Sequence, residues 1–476
     1  MASGRIVPEN PEERLIFWAL AGGWGFYAIG ALYAVGPALG MALLAILAWR
    51  GFAAPWRPAH ERPLPVPAGV VVWLLSMAVM LVALLVAHVG YEMGVAATLK
   101  SSIGWLKGWA LLAIFPLAGA CLRIRPQLVV RAASWFAVAT LALMPVLVAA
   151  ALAGVPGRLF VSPLQAVGGP GPEFFTVYLY IVDPSNGQLR WQFIAPWAPG
   201  AGMIANMLFV LALAERSRFL RWAGLACAVL MCLMTRSRMA MLFLVVYPPL
   251  LWALVRLARP RVLAAGAALS ALAGVAAERL LEWGSAAVQG FRAARADSTR
   301  VREALGRVAL ERWWEDAPVW GHGVVARGRH FVEFMPIGSH HSWYGLLYVK
   351  GAVGFAALLL PLAWTIVEMV LLAQVTRIGR TGLALALILV FYSFGENLEI
   401  LAYLFWPGLV VLGIAFRRAA ASGRGRARQG SERGTAVDGQ RLGKAAMLGM
   451  RRSGMPGQGA EPPPRQKEKF PLHRAE

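Results

Sequence analysis

Two adjacent histidines and a set of arginines are the side chains of this sequence best suited to chemistry. The histidines stand in Gly338-Ser339-His340-His341-Ser342-Trp343-Tyr344-Gly345, just ahead of an apolar run. Imidazole exchanges protons near neutral pH, so either could act as a general acid or base. Neighbouring residues point apart on any regular element, so only one of the two can face a given site. A metal site is the weaker reading, because no Asp or Glu falls at helical ligand spacing around the pair. The arginines stand in Thr235-Arg236-Ser237-Arg238 and in Gln188-Leu189-Arg190-Trp191-Gln192-Phe193. Another six, Arg292, Arg295, Arg300, Arg302, Arg307 and Arg312, are interleaved with Glu303, Glu311 and Glu315. A guanidinium fork bonds phosphate oxygens in bidentate fashion, which makes arginine a natural ligand for an anionic phosphate. The competing readings are structural: Arg190 can stack on Trp191, and most of the six read as a solvated helix face. Neither of the two long polar segments contains an Asp-x-Asp pair, so a cation-held nucleotide sugar is not expected. No metal and no cofactor is expected.

The elements that carry these residues are apolar. The chain has 476 residues, 58% of them hydrophobic and 15% charged, against about 25% charged in soluble domains. The mean hydropathy is +0.59. Phe17–Trp49, Val70–Ala87 and Ala132–Gly157 contain no charged residue, and Ile103–Leu122 contains Lys107 alone. A helix needs about 20 apolar residues to cross the hydrocarbon. The first stretch is too long for one crossing and fits two joined by a tight turn, with Gly30, Gly36 and Pro37 as candidate turn residues. Twelve spans are expected, at about 15–32, 34–49, 69–88, 103–120, 131–154, 200–214, 219–234, 239–256, 262–277, 343–372, 382–396 and 400–416. The tenth is long enough to be tilted or partly outside the bilayer. The fold class expected is therefore an all-α polytopic membrane protein: residues 1–14, a membrane domain over 15–416, and a basic tail over 417–476. That tail is rich in Gly, Arg and Pro and is expected to be disordered. No cleavable signal is expected, because Glu9, Glu12 and Glu13 precede a stretch longer than a signal core. Cys121, Cys227 and Cys232 read as small packing residues.

Net charge is +22. Nucleic acid is not the expected partner, because the excess sits in the tail and in alternate short loops. Those loops hold Arg50, Arg57 and Arg62; Arg123, Arg125 and Arg131; Arg216, Arg218 and Arg221; Arg256, Arg259 and Arg261; Arg377 and Arg380; Arg417 and Arg418. With twelve spans they share one side, which the positive-inside rule assigns to the cytoplasm together with both termini. The polar segments at about 155–199 and 278–341 then lie outside. So does the Thr235–Arg238 turn, where a short loop should lack arginine.

The chain resembles the O-antigen ligase and O-antigen polymerase superfamily of bacterial inner membranes. The likeness rests on Pro318-Val319-Trp320-Gly321-His322-Gly323, then His340-His341, then Gly351-Ala352-Val353-Gly354, in the order and spacing of the family's Pro-x-x-Gly-x-Gly, His-Asn and Gly-x-x-Gly. It selects His340 as the family histidine and puts His341 where Asn is common. Ser237-Arg238 is similar to a family Ser-Arg at a span start, and Arg190 with Pro196 and Asn206 to a family Arg, Pro and Asn. The family's external arginine maps to Arg300 or Arg302. Val349 and Lys350 stand where a glutamate is frequent.

The resemblance implies a membrane-glycosyltransferase-like helical bundle with a periplasmic loop. It implies a glycan donor linked to undecaprenyl pyrophosphate and a lipid A-core or glycan acceptor, with no nucleotide sugar or metal. His340 would be catalytic, and Arg190, Arg236, Arg238, Arg300, Arg302 and His341 would bind substrate. The chemistry suits the residues: arginines stabilise charge developing on the leaving pyrophosphate, and a histidine takes the acceptor's proton. Ligase is the first reading and repeat-unit polymerase the alternative. A flippase for the same lipid would need charged residues lining a path through the spans, and the sequence places few charges at span centres.

Overall fold

The computed structural model describes residues 6–421 other than 60, 184–186, 294–295, 327–335 and 338–340; the side chains at 167, 287–299 and 302 are also outside the description. Of the basic tail expected to be disordered, residues 417–421 are helical, and the rest lies outside the described residues. The rest is a helical membrane-type protein with six helices long and apolar enough to cross a bilayer, or up to eight when bent pairs are joined.

Helices overlap all twelve expected spans, but only six to eight of them are long and apolar enough to count as crossings. The first gives α1 (Pro11–Ala21) and α2 (Gly23–Ala28), the second α3 (Leu32–Phe52), the third α4 (Ala68–Gly90). The fourth is α5 (Gly94–Lys107) with α6 (Leu111–Cys121), bent by 42°, and the fifth is α7 (Pro126–Leu152). Then follow α8 (Ala198–Ala214), α9 (Arg218–Thr235), α10 (Arg238–Leu254) and α11 (Pro260–Val275). The second polar segment supplies α12 (Ala277–Ala293) and α13 (Ala296–Asp316), and α14 (Ser342–Ala373), α15 (Arg377–Ser393) and α16 (Leu398–Ala421) follow. The turn in the first stretch falls at Gly30, whose φ is +68°. Gly36 and Pro37 instead lie inside α3. Gly36 is there for packing: a Cβ on it would come within 2.9 Å of Tyr403 backbone atoms.

Contacts sort the helix ends into two groups. At one end Glu12 pairs with Arg50 at 2.7 Å and Glu13 with Arg125 at 2.6 Å. Arg131 pairs with Glu215 at 2.9 Å, and Arg417 donates to the carbonyls of Leu122 and Ile124. Burial alone would push the Glu215 carboxyl up, but hydrogen bonds from Arg131 and from the Arg216 and Ser217 amides outweigh it and hold it below the ordinary value. These are arginines of the loops assigned to the cytoplasm. The first turns of α8, α10, α14 and α16 meet at the other end, described below.

The core runs along α16, the most enclosed of the candidate spans, with 89% of its apolar window buried. Backbones touch across it. A Cβ on Gly119 of α6 would lie 2.1 Å from the Val410 carbonyl oxygen, and one on Gly413 would lie 2.1 Å from that of Pro116. Helices in lipid associate through such small-residue contacts, because lipid is as apolar as the side chains themselves. Cys121, Cys227 and Cys232 are free and buried, as packing residues are.

The tenth stretch is broken rather than simply tilted. Gly351 has φ +62° and ψ −164°, so α14 stops and restarts there. A strap from the Pro-x-x-Gly-x-Gly segment crosses the break. His322 N donates to Tyr348 O at 2.8 Å and Gly323 N to Val349 O at 2.9 Å; Ala352 N donates to Pro318 O at 2.9 Å. The two glycines admit each other: a Cβ on Gly321 would meet the Lys350 nitrogen at 2.4 Å, and one on Gly351 the Val319 oxygen at 2.2 Å. The motif therefore pairs two chain segments and orients the start of α14, which follows the histidine pair. Gly351→Ala is expected to destabilise the fold by roughly 2–6 kcal/mol, the sum of a glycine-only backbone region and an overpacked contact. The check is thermal unfolding in detergent; an unchanged midpoint would show that the break is not imposed by this contact.

Candidate functional site

The arginine turn is built by the α9–α10 corner. Arg236 takes a left-handed conformation, φ 50°, as the cap of α9, and its side chain is exposed. Ser237 caps α10, its hydroxyl accepting from Ala240 N at 3.4 Å. Arg238 is the first residue of α10 and is half-buried. Helix starts are favourable places for anions, because unpaired amides and the helix dipole both point outward there.

Arg190 is delivered to this corner by a short hairpin, β3 (Ile181–Val182) against β4 (Leu189–Arg190). It follows another strand pair, β1 (Arg158–Val161) against β2 (Thr176–Tyr178). The Arg190 Nε donates to Thr235 O at 3.3 Å, and Trp191 N donates to Met234 O at 3.4 Å. So Arg190 joins Arg236 and Arg238. It also pairs with the buried Asp183 carboxylate at 3.5 Å. That partner, missed in the sequence, holds the guanidinium in place and offsets part of its charge.

The α15–α16 loop closes the same corner. A Cβ on Gly395 would lie 2.4 Å from Met239 Cε, so this loop rests on the first turn of α10. Its next residue, Glu396, is 4% exposed. The Glu396 Oε2 accepts from Trp197 Nε1, at the start of α8, at 2.8 Å. Its carbonyl accepts from Ser342 N at 3.1 Å and from Ser342 Oγ at 2.7 Å. Glu396 thereby ties together the starts of α8 and α14 beside α10. The sequence signal was present: Gly395-Glu396-Asn397 is a polar interruption between two apolar runs.

His341 is the N-cap of α14. Its Nδ1 accepts from Trp343 N at 3.2 Å and Tyr344 N at 3.4 Å, and its ring stacks on Tyr344 with centroids 4.2 Å apart. Nδ1 must therefore be unprotonated, and the neutral ring carries its proton on Nε2. His341 caps a helix at the edge of the corner, with Phe394 edge-on to it at 6.3 Å. His340, assigned the catalytic role by resemblance, lies outside the described residues, as does the Arg302 side chain. Arg300 is exposed on α13. That helix packs on the first turns of α14, where Gly306 meets Tyr344 and Leu305 clusters with Tyr348. Asn206 stands in the helix wall: its Nδ2 donates to Tyr392 Oη at 2.8 Å, and it is fully buried. Among the described residues no group of three His, Cys, Asp or Glu side chains could hold a metal ion.

The corner thus gathers two arginines of a helix start, a third held by a carboxylate, a buried glutamate and a capping histidine. Such a set can bind a phosphate and place a hydroxyl beside proton-accepting groups. No model of a known protein family matches this chain, and no curated protein matches it either.

Proposed function

We propose that this protein transfers a glycan from undecaprenyl pyrophosphate to a hydroxyl of a lipid A-core or glycan acceptor, at the outer face of a bacterial inner membrane. The observation that supports it is the meeting of Arg190, Arg236 and Arg238 with Glu396 and His341 at one end of the helices. In the reaction the acceptor oxygen attacks the anomeric carbon. The bond from that carbon to the pyrophosphate oxygen breaks, its electron pair leaves on the pyrophosphate, and the hydroxyl proton passes to His340. The arginines stabilise the charge left on the phosphates. The lipid tether explains why helix ends, rather than a soluble domain, carry the site.

The same reading takes the helices as twelve crossings, in a membrane-glycosyltransferase-like arrangement, with both termini cytoplasmic. The grouping of the Arg50, Arg125, Arg131 and Arg417 contacts at the end opposite the site supports it. One observation favours a flippase: Lys350 is 3% exposed inside the bundle, near Trp109 and Glu399. Ligase, polymerase and flippase separate in a deletion strain. Loss of a ligase leaves lipid-linked polymer and bare acceptor, which is the expected outcome. Single lipid-linked repeats outside would assign a polymerase, and donor trapped on the cytoplasmic side would contradict transfer in favour of a flippase.

A further inference from the structure

The amphipathic helix α12 follows the apolar helix α11. Residues Ala277–Ala286 are all exposed. Leu281 and Trp283 are 73% and 79% exposed, values that an apolar side chain in water does not justify. At helical spacing Ala277, Leu280, Leu281 and Gly284 share one side, and the sequence continues that stripe at Val288 and Phe291. Arg279 and Glu282 fall on the opposite side. Trp283 flanks the stripe on one edge, and Glu278 and Ser285 flank it on the other.

The preceding helix says what covers the stripe. α11 is apolar and none of its residues is buried by protein, as expected of a helix surrounded by lipid. One residue, Ala276, joins it to α12, and the axis turns there by 80°. A helix leaving a lipid-facing span at that angle runs along the bilayer surface, with its apolar stripe continuous with the surface of α11. Trp at the edge of the stripe suits headgroup depth, and Arg279 beside it matches the negative charge of lipid phosphates.

We propose that α12 is an interfacial helix, lying in the outer leaflet with Leu280 and Leu281 in the acyl region and Glu278 and Glu282 in water. Its partner is the lipid headgroup–acyl boundary. It then holds the start of α13, and with it Arg300, at the level of a lipid-borne phosphate. The inference rests on the membrane embedding and not on transfer chemistry, so it can fail while the transferase reading stands, and the reverse.

The test is nitroxide labelling of full-length protein in nanodiscs, with Cys121, Cys227 and Cys232 replaced by alanine. Single cysteines are placed as Glu278→Cys, Leu280→Cys, Leu281→Cys and Glu282→Cys. The expected result is that labels at 280 and 281 relax with oxygen, at depths about 5–10 Å inside the phosphates. Labels at 278 and 282 should relax with a water-soluble nickel chelate. Three results would overturn it. All four labels aqueous would place α12 off the membrane. Depth rising steadily from 278 to 282 would make α12 part of a span. Dipolar broadening at 281 that vanishes on dilution with unlabelled protein would assign the stripe to a second copy.

Discussion

His340→Ala is expected to lower turnover about a hundred- to ten-thousandfold, the usual worth of a positioned general base, with donor binding retained. His341→Asn is expected to leave turnover near normal. The contrast has a structural reason on the second residue. His341 spends its Nδ1 lone pair on two amides of α14, so that nitrogen takes no proton while the cap holds. Asparagine caps helices well, whereas His341→Ala is expected to cost about 0.5–2 kcal/mol of stability. Protonation disables a general base, so activity should fall towards acid pH. A histidine that only hydrogen-bonds the acceptor would keep partial activity as His340→Gln and respond little to pH. A near-normal His340→Ala protein beside a dead His341→Asn protein would overturn the assignment.

Much of the fold is legible as stretches of apolar sequence, because a lipid-spanning helix announces itself by length and composition alone. Even so, α8 and α10, at 17 residues each, fall short of a generous span. The break in α14 was not legible. Its residues read as one apolar run, and the cause lies thirty residues upstream, where Gly321 presses on Gly351. The Pro-x-x-Gly-x-Gly segment was visible as a motif, yet its evident work is this backbone crossing. His322 within it follows suit, stacked on Tyr348 at 4.3 Å with its Nδ1 3.0 Å from the Tyr348 carbonyl.

At the site, the arginines were legible because they break the charge rule for the loops that the twelve-span count puts outside. Their partners were not. Asp183 reaches Arg190 through the register of a hairpin that no sequence period reveals. Glu396 reads as an ordinary loop carboxylate until the fold sets it against Trp197 and Ser342. Composition tells which residues oppose a trend; only packing tells which of them meet.

Arg238→Ala is expected to reduce glycan transfer roughly a hundredfold, from the loss of about 2–3 kcal/mol of charge-assisted phosphate bonding. Arg190→Ala and the Arg300, Arg302 double replacement should also lower transfer more than expression. Arg190→Ala carries a second cost, since it removes the ion pair between Arg190 and the buried Asp183 carboxylate. Lysine should restore Arg238 only in part, because an ammonium lacks the planar fork. The most direct measurement uses the same assay on wild-type protein. Purified protein in nanodiscs is given a polyprenyl-pyrophosphate-linked oligosaccharide and a lipid A-core acceptor, with a chelator present. Glycosylated acceptor and free polyprenyl pyrophosphate are quantified together. The account predicts that they appear in equal amounts and that Arg238→Ala slows both alike. Intact donor after prolonged incubation, with all the arginine variants indistinguishable from wild type, would contradict it.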